Sequence, residues 1–274
     1  MAAALAAMGL RVIVIDLDPQ AHLTIHLGVE PQTIRNGAYE VMTQAAGFEQ
    51  SLMMTRPNLW LLGANINLVG AETELVSVVG REIILREAMH ACRERFDFCL
   101  IDCAPSLGLL SLNALAASQE VLIPLQPHFL ALQGFGKLLQ TVDLVNKRIN
   151  RDLKVTGVLL CMFDTRASLP NEVKADIEHF LNNARGTDSA WSDAQILPTF
   201  IRRNIKLAES PSYGQTIFEG LKAYRTKEGS IQLFRPRDNF ERFNRSAKAL
   251  CMPEIDIDFA MDAMMKLLDM EKDW

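Results

Sequence analysis

A doubly wound α/β fold on a mostly parallel sheet is what this sequence predicts, and three observations predict it. The runs Val12–Ile15 and Cys99–Ile101 are apolar without polar alternation, the pattern of strands buried on both faces. Each run ends in an aspartate, Asp16 or Asp102, where an open parallel sheet forms its ligand crevice. Short apolar runs then alternate with helix-period segments along the chain, the βα rhythm of a sheet covered on both faces. With 274 residues, 49% hydrophobic and 22% charged, the chain has the ordinary composition of a globular protein with one sizeable core.

The elements follow in order. The opening MAAALAAMGL is rich in strong helix formers and predicts a helix to about Met8. It lacks the basic flank and the apolar length of a signal peptide. A strand over 11–16 comes next, then a helix near 20–28 and a helical segment around Gly37–Ala46. A short strand at Leu59–Gly63 precedes helices around Leu68–Val78 and Glu82–Arg93. Strands near 97–102, 120–125, 154–161 and 194–198 alternate with helices near 107–117, 130–149 and 168–183. No apolar run reaches the length of about 18 residues that a membrane span needs, so a cytoplasmic protein is expected.

The chemistry concentrates at two strand ends. In RVIVIDLDPQAHLT a buried strand delivers Asp16 and Asp18, and in FDFCLIDCAPSLGLLSLNAL another delivers Asp102 before a small-residue turn and a helix. Aspartates so placed suit magnesium held through water beside a phosphate chain. Asp is also a favoured helix N-cap, and capping is the alternative reading for Asp16 and Asp102. His22 and His26 share a helix spacing, without the glutamate of a metalloprotease motif after His22. They read as polar residues of a switch segment. The cysteines at 92, 99, 103, 161 and 251 lack paired metal spacing and are expected as buried, reduced thiols.

These motifs together resemble the ParA-type partition ATPases, in the deviant Walker A superfamily that also holds the MinD-like cell-division ATPases. DLDPQ resembles the family's switch motif and LIDCAPSLGLLSLNAL its Walker B strand and following helix. VLIPLQPHFLALQGFGKLLQTV, GVLLCMFDTRASLPNEV and FIRRNIKLAESPSYGQTIF match further segments in the expected order. The resemblance covers residues 1–218 and sets an ATPase domain there; residues 219–274 form an atypical tail, basic from Lys222 to Lys248 and acidic from Glu254 onward. That reversal suggests charge pairing within the tail or a foreign fusion, and its last segment fits an amphipathic helix carrying Phe259 and Met264.

One family element has no counterpart here. Members begin with a strand and a glycine-rich loop of the form KGGVGKTT that cradles the phosphates. MAAALAAMGLRVIVID resembles the end of the helix after that loop, so the loop is expected upstream of Met1. No Gly-Lys-Thr or Gly-Lys-Ser occurs in the 274 residues, and Gly136-Lys137 is followed by Leu138. A reading frame begun too late is favoured over a purposeful loop-less protein, because loss of the first strand leaves a ladder of unpaired backbone groups in the sheet. These 274 residues by themselves are expected to hydrolyse ATP negligibly.

The resemblance implies roles for particular residues. Asp18 positions the attacking water, and Asp16 and Asp102 organise the Mg2+ shell of bound ATP. Met162 and Asp164 fall where the family surrounds the adenine base. Arg202, Arg203 and Lys206 fall in its stretch for sequence-independent DNA contacts, which a net charge of −5 confines to a local patch. NINLVGAETE, residues 65–74, resembles the segment between nucleotide and dimer partner. The implied protein is a DNA-segregation ATPase of the nucleoid that dimerises with ATP, binds non-specific DNA and answers to a ParB-type centromere-binding partner. A non-catalytic ParA-like adaptor is the alternative of another class. A MinD-like membrane-cycling ATPase fits less well, since the terminal helix is acidic and anionic lipid would repel it.

Overall fold

The computed structural model describes residues 1–202 together with 223–225, 231–233, 237–238, 240–241, 244 and 256–270. They fall into two compact units, Met1–Leu207 and Ala208–Trp274. The boundary expected at 218 falls outside the described residues.

In the first unit, α1 (Ala2–Ala7) turns at Gly9 into β1 (Val12–Leu17), whose six residues are all buried. Ile13, Ile15 and Leu17 belong to one apolar cluster and Val12 and Val14 to another, so alternate side chains fill the two faces of the sheet. After α2 (His22–His26) and α3 (Ala38–Met42) come β2 (Met53–Arg56) and β3 (Leu59–Leu62). β1 is parallel to β3 on one side and to β4 (Phe98–Cys103) on the other, in the order β2-β3-β1-β4. β2 is an antiparallel edge strand that the sequence pattern did not reveal: four residues are too few for a clear period, and the turn is made by Asn58 at φ +60.

The register of β1 on β4 is set at the end away from the aspartates. Asp97 accepts from the Arg11 backbone N–H at 2.7 Å and from its guanidinium at 2.7 and 3.2 Å. The Asp97 amide in turn donates to the Arg11 carbonyl at 2.8 Å. Counting from this clamp, the parallel ladder places Asp16 opposite Asp102.

After α4 (Leu68–Glu74), α5 (Ile84–Met89) and α6 (Leu109–Ala117), a second parallel sheet forms from β5 (Glu120–Leu125), β6 (Lys154–Leu160) and β7 (Gln195–Ile196), in that order. α7 (Phe129–Arg148) and α8 (Ser168–Asn183) pack on it; Val142, Val145, Val173 and Ile177 join Val155 and Val158 in its core. The parallel α/β architecture is therefore present, in two sheets. Among the described residues no strand pairs with the outer edge of β4 or of β5. A cavity of about 390 Å³ opens between the start of β4, at Phe98 and Cys99, and the approach to β5, at Ser118 and Gln119.

That edge position corrects one expectation. β4 is not buried on both faces: Phe98 is 46% exposed, and Cys99 and Asp102 are exposed as well. A strand with a neighbour on one side only keeps solvent on the other. Cys92 is buried as expected, whereas Cys103 and Cys161 are half-buried; all four described cysteines are free thiols. Cys251 lies outside the described residues.

In the second unit, β8 (Ala223–Arg225) pairs antiparallel with β9 (Ile231–Leu233), and α9 (Ile257–Met270) follows. Asp256 caps α9, its Oδ1 accepting from the amides of Asp258 at 2.9 Å and Phe259 at 3.1 Å. Arg237 pairs with Asp258, an instance of the expected pairing between the basic and acidic stretches. Phe259 is 74% exposed. Among the described residues no helix is long and apolar enough to cross a membrane.

Candidate functional site

The two strand-end acids meet because their strands are neighbours. Asp16 and Asp102 are register partners at the carboxyl ends of β1 and β4, and adjacent strands lie about 4.8 Å apart. Their surroundings differ. Asp16 is fully buried, and its oxygens are engaged by the chain that follows it: Oδ1 accepts from the Asp18 amide at 3.1 Å, and Oδ2 from the Thr24 amide at 2.9 Å and the Thr24 hydroxyl at 2.7 Å. Asp102 is exposed.

Asp18 follows Asp16 by two residues in a tight turn. Its Oδ1 accepts from the Gln20 amide at 2.9 Å and its carbonyl from the Ala21 amide at 2.8 Å. Ala21 then adopts a left-handed conformation, φ 55 and ψ 31, and α2 begins. Asp18 is half-buried.

Two of these carboxylates, Asp16 and Asp102, hold protons more tightly than usual. Burial pushes the Asp16 carboxyl above its ordinary value, against the hydrogen bonds from Thr24 and Asp18. Asp102, exposed as a residue but with its carboxyl partly shielded from water, is also raised, first by that desolvation and then by the charges of Asp16 and Asp18, while the Cys103 amide and His22 act the other way. His22, the first residue of α2, thus lies near Asp102. Among the described residues no group of three His, Cys, Asp or Glu side chains is arranged to hold a metal by itself.

A second group forms at the carboxyl end of β6. Met162, at φ 53, is another non-glycine residue in left-handed backbone. Asp164 closes the next turn, its Oδ1 accepting from the Arg166 amide at 3.0 Å. Arg202 is brought to this turn by a parallel bridge to Phe163, with its guanidinium 5.9 Å from the centre of the Phe200 ring. Phe200 in turn meets Phe163 edge-on at 5.2 Å. The structure therefore assembles Asp16, Asp18 and Asp102 at one place, and Met162, Asp164 and Arg202 at another. Arg203 and Lys206 lie outside the described residues.

Sequence reasoning missed the residues that hold these turns. Thr24 was passed over eight positions after Asp16, although a hydroxyl beside an Asp-x-Asp turn is a natural carboxylate donor. Glu72 carries no role of its own within the segment 65–74, yet its Oε1 accepts from the Leu110 amide at 3.4 Å, at the start of the helix after Asp102. Gly108 permits that approach, since a Cβ there would lie 2.1 Å from Glu72 Oε1. Asn113, fully buried, accepts from the Leu85 amide at 3.1 Å and donates to the carbonyls of Arg81 at 2.7 Å and Leu109 at 3.0 Å.

Comparison with known proteins shows the family of the chain. Residues 1–155 match the family model described as an AAA domain. The sporulation initiation inhibitor protein Soj of Bacillus subtilis is 38% identical over 218 residues, covering 79% of this chain and 82% of that protein. The chromosome partitioning protein ParA of Myxococcus xanthus is 38% identical over 218 residues, 79% of this chain and 73% of that protein. Among solved structures, a cobyrinic acid a,c-diamide synthase from Mycobacterium smegmatis with bound ADP and magnesium superposes with a TM-score of 0.66 at 35% identity, covering 77% of this chain and 80% of that one. The chain belongs to the ParA-type partition ATPases of the MinD/ParA superfamily.

Proposed function

We propose that the chain works as the Mg-ATP switch of a DNA-segregation system, with Asp18, Asp102 and Asp16 serving the metal and water side of ATP hydrolysis. The observation that carries this reading is the register pairing of Asp16 with Asp102, with the Asp18 amide held on Asp16 Oδ1. Mg2+ fits the donor set. The Asp16 and Asp102 carboxylates have raised proton affinities, which a nearby divalent cation would lower, and Mg2+ needs only one or two carboxylates beside phosphate oxygens and water.

In this reading Asp102, the exposed acid, holds the metal through water. Asp16 is the buried acid, which fixes the turn and adds negative potential from behind. Asp18 orients the attacking water. The bound metal supplies charge neutralisation at the terminal phosphates. For the phosphate grip the 274 residues hold no Gly-Lys-Thr or Gly-Lys-Ser sequence, so they account for one side of the reaction. Met162 and Asp164 would border the base.

Hydrolysis would serve dimerisation and DNA binding rather than bulk metabolism. A run of exposed apolar residues around α4, Ile66, Val69, Val76 and Val79, supports its use as a face toward a second copy. Arg202, Arg203 and Lys206 would meet DNA phosphates, and a ParB-type partner would stimulate turnover on the nucleoid. The absent Gly-Lys-Thr or Gly-Lys-Ser sequence favours a second reading, a ParA-like adaptor that binds partners without turnover.

The test is Mg-ATP turnover by the 274-residue chain alone and by the chain joined to a KGGVGKTT-type segment. Negligible turnover alone, and Asp18-dependent turnover when joined, is expected. Asp18-independent turnover would refute the assignment, and failure of the joined form to bind ATP would support the adaptor.

A further inference from the structure

Thr24 is fully buried, 40 positions from its most distant hydrogen-bond partner, and its hydroxyl is used in both directions. Oγ1 accepts from the Ala64 amide at 3.0 Å and donates to Asp16 Oδ2 at 2.7 Å. The sense of this chain is fixed. The Ala64 N–H can only donate, so the single hydroxyl proton must go to the carboxylate. The Thr24 methyl packs on the same loop, where a Cβ at Gly63 would lie 3.4 Å from it. The Gly63 carbonyl accepts from the Ala38 amide at 2.8 Å, which secures the loop from its other side.

Beyond Ala64 the chain runs directly into α4. Asn65, itself buried, accepts from the Asn67 amide at 3.0 Å at the start of that helix. From its other end Glu72 reaches the Leu110 amide, in the helix that follows Asp102. One short helix therefore spans from Asp16's hydroxyl partner to the turn after Asp102.

We propose that Thr24 is a positioning residue which, through its hydroxyl, couples Asp16 to the loop after β3 and thereby to α4. It rests on the reading of Asp16 as part of the metal site. Loss of the Asp16 acceptor frees the Thr24 hydroxyl that holds the Ala64 amide, loosens that amide and reaches α4, which carries the exposed Val69. A threonine that merely satisfies buried groups would stabilise the loop without passing changes at Asp16 to it.

The experiment is amide hydrogen exchange by NMR on the 274-residue chain without nucleotide, so its outcome is independent of whether the chain binds ATP. Thr24→Val keeps the shape and removes the hydroxyl, whereas Thr24→Ser keeps the hydroxyl. Thr24→Val is expected to speed exchange at Ala64 roughly tenfold, with a smaller rise at Asn67 and Leu110, and Thr24→Ser to restore all three. Asp16→Asn should speed exchange at Ala64 in the native and Thr24→Ser backgrounds and add nothing in Thr24→Val. Equal effects of Asp16→Asn in all three backgrounds would overturn the coupling. Should Asp16→Asn not fold, the threonine pair still decides: a Thr24→Val effect confined to Ala64, or one that Thr24→Ser fails to restore, refutes the proposal.

Discussion

Ala21 and Met162 hold left-handed backbone, φ 55 and φ 53, one in the turn after Asp18 and the other just after β6. Each spends conformational energy where a glycine would not, and such residues gather at functional turns. Replacing Ala21 by glycine removes the clash of Cβ with the backbone and adds chain entropy to the unfolded state. The first effect is the larger, so Ala21→Gly should raise stability by about 0.5–1 kcal/mol, read as a higher midpoint of thermal unfolding. A lower midpoint would mean that burial of the methyl outweighs the backbone relief. Asn113 is the opposite case, a residue whose side chain is fully used. Its three bonds join the segment before α5, the first turn of α5 and α6, so Asn113→Ala leaves buried backbone groups without partners. A loss of about 2–4 kcal/mol in denaturant unfolding is expected.

At the scale of elements, the β1–β4 pair matters because one end sets the register that the other end uses. The Arg11–Asp97 clamp holds the Asp97 carboxyl down at about 2 from 3.8, through the side-chain hydrogen bond first and the backbone bond next. A carboxyl lowered in the folded state gives stability that is present above its unfolded value. That stability is lost as pH falls from about 4 through about 2. Asp97→Asn should therefore flatten the fall of the unfolding midpoint across that window and leave it unchanged in shape near neutrality. An unaltered slope would show that solvent screens the pair. Asp16 and Asp102 act with the opposite sign, since a raised carboxyl favours the folded state at low pH and opposes it as the group ionises.

At the scale of the whole molecule, a net charge of −5 repels DNA, so the proposed DNA binding requires a local patch and is expected to be salt-sensitive. Arg203→Ala and Lys206→Ala, in a form with the phosphate segment joined and ATP present, should weaken binding to duplexes of unrelated sequence about equally. Each lost phosphate contact should lower the magnitude of the log–log salt slope by roughly 0.9. Unchanged affinity and slope, with binding abolished by changes among Arg235, Arg237, Arg242 and Arg245, would move the DNA surface to the tail.

Strand runs and their terminal acids were legible in the sequence because they are local. An unbroken apolar run ending in Asp-x-Asp states a buried strand and a charged tip within six residues, and the linked motifs gave the family. The order of β1, β3 and β4, the facing of Asp16 and Asp102, and the exposed edge of β4 came only with tertiary structure. An apolar run has the same composition at the centre of a sheet as at its edge, and only the neighbours distinguish them. The edge strand β2 was too short to leave a period. Thr24 and Glu72 were invisible for a related reason: a hydrogen bond across 40 or 38 positions has no spacing to read, and depends on folding to bring the Ala64 and Leu110 amides to them.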